Sequence, residues 1–143
     1  LRANREIFVT KKVATTFMGY ATSALKKMGA PNGPTGDMGK KRKANVEQFG
    51  YDQKDASCLV RLLRLGEEIL RTGEVNVCRT GIDAEEIKSI KRGEWSLERV
   101  QSEAAEGFER MRAAEAMTEL PLEVDREAAN RLCVEVVRMS LNL

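Results

Sequence analysis

Between Asp52 and Gly73 the chain carries its strongest structural constraint. Ala56, Leu59, Leu62, Leu63, Leu65, Ile69 and Leu70 form an apolar stripe at helical spacing. Asp52 or Asp55 offers a capping oxygen ahead of the stripe, and Gly73 stands where a helix commonly closes in left-handed backbone. The same period recurs on both sides. Val13, Phe17, Tyr20, Ala21, Ala24, Leu25 and Met28 predict a helix over about 9–28, stopped by Gly29. Asp83 caps a brief helix carrying Ile87 and Ile90 and closed by Gly93. Ser96 opens a long amphipathic segment from Leu97 to Met117, with Val100, Ala104, Phe108 and Met111 on its stripe and Pro121 beyond its end. A last helix from Asp125 to about Leu141 shows Ala128, Ala129, Leu132, Val136 and Met139. Val75, Asn76 and Val77 alternate over a length that suits only a short strand or an extended linker.

These periods predict a mostly α fold: a compact bundle of about five helices with a flexible Gly/Pro/Lys loop and at most one short strand. Only 5% of the residues are aromatic and only three are proline, so propensity argues the same way. At 143 residues the chain fits one helical domain over 1–143, divided into an N-terminal helix at 1–29, a flexible basic loop at 30–50 and a helical core at 51–143. The loop is expected because APNGPTGDMG packs Pro and Gly too densely for helix, before the run Lys40, Lys41, Arg42, Lys43 and a short helical stretch towards Phe49.

Several chemistries are excluded by composition. Histidine is absent, which removes His-based acid/base catalysis, the Ser/His/Asp and Cys/His pairs, and the commonest zinc ligand. Cys58, Cys78 and Cys133 are odd in number and irregular in spacing, as reduced thiols of a cytoplasmic protein are. No run approaches about 18 apolar residues, so no membrane partner is expected. The carboxylate groups Asp83, Glu85, Glu86 and Asp125, Glu127 sit at helix starts, where the helix dipole accounts for acids. No catalytic residue, metal ligand or cofactor is therefore assigned to this chain.

What remains is cationic. Residues 1–50 hold 10 basic and 3 acidic side chains, residues 51–100 hold 9 and 10, and residues 101–143 hold 5 and 9. A basic first third attracts phosphates, and Lys40, Lys41, Arg42 and Lys43 are its densest part, although such a run also serves as a solvated loop. Gly33, Gly36 and Gly39 before Lys40 do not satisfy a P-loop, and no apolar strand precedes them. On the central helix Lys54, Cys58 and Arg61 stand at i, i+4 and i+7, with Arg64 and Arg71 further along, an arrangement suited to an anion. Pairing of Arg61 and Arg64 with acids such as Glu67 and Glu68, and core filling by Cys58, are the competing structural readings.

Four stretches, LRANREIFVTKKVATTFMGYATSALKKM, GYDQKDASCLVRLLRLGEEILRTGEVNVCR, IKSIKRGEWSLERV and LPLEVDREAANRL, carry a family resemblance. In this order they resemble the C-terminal part of predicted nucleotidyltransferases of the DNA polymerase β superfamily, in the RNA-repair-pathway branch of bacteria and phages. The most specific element reads Lys54-x3-Cys58-x2-Arg61-Leu62-Leu63, with Cys58 where the family usually has His. The resemblance implies that Lys54 and Arg61 face a nucleotide or nucleic-acid cleft. It also implies an upstream catalytic domain, absent from this chain, with a Gly-Ser motif and an Asp-x-Asp pair that holds magnesium. The expected function is thus an accessory helical portion of such an enzyme, inactive alone. The alternative is a stand-alone phage-type module that binds a nucleic acid or a protein partner without chemistry, for instance as an inhibitor of a nucleic-acid-processing complex.

Overall fold

The computed structural model describes residues 2–28 and 40–142, apart from the side chains of Arg2, Lys40, Lys41 and Arg42. The loop expected over residues 30–39 and the stop at Gly29 lie outside the described residues. A 3-10 segment at Arg2–Ile7 precedes six α-helices: α1 Val13–Met28, α2 Lys40–Phe49, α3 Gln53–Thr72, α4 Ala84–Lys91, α5 Leu97–Met117 and α6 Arg126–Ser140. Among the described residues there is no strand, and no helix is long and apolar enough to cross a membrane.

α3 is the centre of the bundle. α1 packs along it most extensively, α5 next and α4 over a shorter length. The buried residues of α3 include Ala56, Leu59, Val60, Leu63, Ile69 and Leu70, and around them close Ala14, Ala21 and Ala24 of α1, Ile87 and Ile90 of α4, and Val100, Ala104 and Met111 of α5. Small residues let the backbones approach. A Cβ added at Gly66 would lie 2.7 Å from Met111 Cε and 2.9 Å from a Phe17 ring carbon, and one at Gly107 would lie 2.9 Å from Leu63 Cδ1. Phe17 beside Gly66, with Lys11 N–H donating to the Pro121 carbonyl and Thr118 Oγ1 to that of Leu70, sets the start of α1 near the end of α3. The two helices therefore run antiparallel.

The capping oxygens expected from sequence act at three helices. Asp52 accepts from Asp55 N–H, Ser96 from Arg99 N–H and Asp125 from Ala128 N–H. Gly73 ends α3 at φ 71°, its N–H reaching the Ile69 carbonyl. Gly73→Ala should therefore cost about 1 kcal/mol, measured as a lowered urea midpoint with an unchanged slope. Asp83 does stand at the N-cap of α4, but its carboxylate makes no capping bond there. Arg79 and Arg64 engage it instead.

Three expectations need correction. Helix covers all of residues 40–49 rather than only a short stretch towards Phe49 within the loop at 30–50, because KKRKANVEQF contains neither Pro nor Gly and its last residue is anchored. The Phe49 ring lies over Gly93, so close that a Cβ there would fall 2.5 Å from it. Residues 75–77 belong to no strand, which leaves the linker of the two readings, and Asn76 donates its side-chain amide to Glu68 of α3. Tyr20, placed on the buried stripe of α1, is 67% exposed. Ala21 and Ala24 take the inner positions, where their small side chains allow the tight α1–α3 approach. Val136 and Met139 of α6 are also exposed, and Leu132 is that helix's buried residue.

A candidate anion-binding face on α3

One long helix presents two different cationic surfaces. On its outer side Lys54, Cys58 and Arg61 are all exposed, spread over about 10 Å of helix axis. Neither Lys54 nor Arg61 forms an ion pair among the described residues. The core-filling reading of Cys58 fails, since its thiol is free and exposed. Lys43 of α2 is exposed as well. The side chains of Lys40, Lys41 and Arg42 lie outside the described residues.

Arg64 belongs to the other surface. Its Nη1 lies 2.6 Å from Glu86 of α4 and 3.6 Å from Asp83, and its Nε lies 3.0 Å from Glu103 of α5. Only 18% of the side chain is exposed. A guanidinium so engaged is not available to an external phosphate, and the sequence-based assignment of Arg64 to the anion-binding set is withdrawn on that ground. Glu67 and Glu68, the acids nearest in sequence, pair elsewhere. Glu67 holds Arg71 and Arg110, while Glu68 holds Arg79.

These pairs join into one lattice across α3, α4 and α5. Arg110 binds both Glu67 and Glu103, Arg64 carries the connection from Glu103 to Glu86 and Asp83, and Arg79 grips Asp83 through Nε at 2.8 Å and Nη2 at 3.1 Å. Arg79 is itself buried. Burial works against a charged Asp83, yet the hydrogen bond from Arg79 and the charges of Arg79 and Arg64 prevail and hold its carboxyl below the ordinary value. Glu68 is likewise held low, by the Asn76 amide first and then by Arg79. Sequence reading missed Arg79 and Arg110 as structural residues. The i, i+4 spacing of Arg79 with Asp83 was visible, whereas the link from Arg110 to Glu67 joins helices far apart in the chain.

The carboxylate groups weighed as metal ligands are committed to other partners. Asp83 and Glu86 face arginines, Glu85 binds Lys88 at 2.7 Å, and Asp125 caps α6. Among the described residues no group of three potential ligands converges on a common point. Trp95, the chain's single tryptophan, is buried, with the Arg99 guanidinium 3.7 Å above its ring and its indole N–H donating to Ser89. Tyr20 is thus the exposed aromatic ring of α1, on the helix packed along α3.

Searches for related proteins found no matching family model, no matching curated protein and no matching solved structure.

Proposed function

We propose that this chain is an accessory helical portion of a polymerase-β-like nucleotidyltransferase, and that the outer face of α3 supplies its phosphate contacts. The supporting observation is the split among the cations of α3. Arg64 and Arg71 are consumed by acids, while Lys54 and Arg61 point outward without a partner among the described residues. Those two are the residues matched by the motif that carries the family resemblance. On this reading the catalytic carboxylates and their magnesium belong to a separate domain, the chain is inactive alone, and it works in the cytoplasm with its thiols reduced. Lys43 is a further exposed cation, on α2, and Tyr20 offers a ring on which a base can stack.

The test is equilibrium binding of a fluorescent single-stranded oligonucleotide across a salt series. Replacing Lys54 and Arg61 together by Ala should weaken binding about tenfold or more and flatten the logarithmic salt slope by about 1.4, as two fewer phosphate contacts require. Unchanged affinity and slope would remove the reading. A second reading, a non-catalytic module that binds a protein partner, draws on a different observation, the exposed valines and methionine of α6. It predicts complex formation that is insensitive to salt.

A further inference from the structure

α5 packs against both α1 and α3, and so fixes which of their sides face the same way. It meets α3 at Leu63, which stands about 160–180° around that helix from Arg61 and Lys54. On α1, Leu25 turns towards Ala105 and Phe108 of α5, with which it lines one cavity. Thr16, Tyr20, Ser23 and Lys27 stand about 140–180° around α1 from Leu25. All four are exposed. The side turned away from α5 is therefore shared by the two helices, with these residues of α1 beside Lys54 and Arg61 of α3.

Antiparallel packing sets the register across this side. With Phe17 beside Gly66, Tyr20 comes about level with Leu63 and Lys27 about level with Ala56. The ring thus flanks Arg61, and the Lys27 ammonium flanks Lys54. Each helix separates its pair by seven residues, about 10 Å along the axis. Ala21 and Ala24, both buried, keep the two axes about 8 Å apart. Three cations and one ring therefore mark the corners of a single patch, and none of the three cations has a partner among the described residues. An acid in the first turn is ordinarily favoured, yet α1 has no acidic residue in its 16.

The spread of charge identifies what the patch holds. A triphosphate is gripped by cations and backbone N–H groups that converge on it, whereas these cations rise from separate corners. A nucleic-acid strand carries a charge about every 3.4 Å, so one strand reaches all three. Tyr20 can stack only on a base that is unpaired.

We infer that the shared face of α1 and α3 is the track of a single-stranded nucleic acid, in which Lys27, Lys54 and Arg61 hold phosphates and Tyr20 stacks one base. The inference rests on the anion-binding reading of α3 and extends it to α1 and to one class of ligand.

Fluorescence anisotropy of the full chain with labelled ten-nucleotide oligouridylate and oligothymidylate tests this, the tighter ligand serving for the variants. Tyr20→Ala should weaken binding about five- to tenfold without changing the salt slope, and Tyr20→Phe should stay within about twofold of the original. Lys27→Ala should weaken it about threefold and flatten the slope by about 0.7. Both residues are exposed, so the helical circular-dichroism signal should not change. The same strand in a duplex should bind about tenfold more weakly, and a nucleoside triphosphate at about 1 mM should not displace it. Binding that ignores Tyr20→Ala and Lys27→Ala but is lost on replacing Lys54 and Arg61 overturns the shared track and leaves the α3 reading standing. Binding that ignores Lys54 and Arg61, or no binding of either strand up to about 100 μM, overturns both. Equal affinity for the duplex, or displacement by the triphosphate, overturns the assignment to a single strand.

Discussion

Truncating Leu63 to Ala is expected to lower the unfolding free energy by about 3–4 kcal/mol. The side chain is 1% exposed and lies where α5 crosses α3. At that crossing Gly107 already brings the α5 backbone against it, with the position of a Cβ only 3.1 Å from Leu63 Cβ. A contact made by backbone leaves α5 little to move into the space vacated by the leucine, so most of the cavity should persist. Urea unfolding with an unchanged slope is the measurement. A loss below about 1 kcal/mol would mean that the crossing collapses onto the smaller side chain.

The next residue in the chain carries the second large effect by a different cause. Arg64→Ala should cost about 1.5–3 kcal/mol at neutral pH, because it takes one of two guanidinium partners from Asp83 and from Glu103, which keep Arg79 and Arg110. Asp83, 9% exposed, and Glu103, 20% exposed, account for most of this cost. Glu86, at 44%, is screened by water and adds little. Arg64→Lys should recover only part of the loss, since one ammonium cannot bridge several acids on different helices.

The pH dependence of this variant has a definite sign. Asp83 and Glu68 have folded-state pKa values below their unfolded ones, so their contribution is complete above about pH 4 and is lost as pH falls through the folded values. Removing Arg64 relaxes the hold on Asp83. The stability difference between wild type and Arg64→Ala should therefore be greatest near neutrality and shrink below about pH 4. A difference that does not vary with pH would show that Arg64 acts by packing its methylenes rather than by charge.

Leu63 and Arg64 also mark how far the sequence could be read. Helical period and caps disclosed the elements because both are local, so Leu63 could be assigned to a buried face from its neighbours three and four residues away. The limits of α3, α5 and α6 followed from Asp52, Gly73, Ser96 and Asp125 in the same way. Arg64 could not be resolved by spacing. Its position beside Arg61 made both look alike, and only the arrival of α4 and α5 on one side of α3 divides them into a paired cation and an outward one. The same limit explains Tyr20 and Met139. Each lies at a helical interval from apolar residues, yet neither position is covered once the helices pack. Lys54 and Cys58, in contrast, stand on the outer face that their i, i+4 spacing shares with Arg61.

The cations of the lattice joining α3, α4 and α5 are all arginines, and that choice bears on heat tolerance. Warming reduces the cost of stripping water from charged groups, whereas the gain per unit of buried apolar surface levels off. As temperature rises, a growing share of cohesion should thus pass from the leucine side of α3 to its guanidinium side. α6 has no comparable set of ties to the other helices among the described residues. Heating should accordingly release the C-terminal helix first and leave the arginine-bound trio of helices as the last part of the chain to melt.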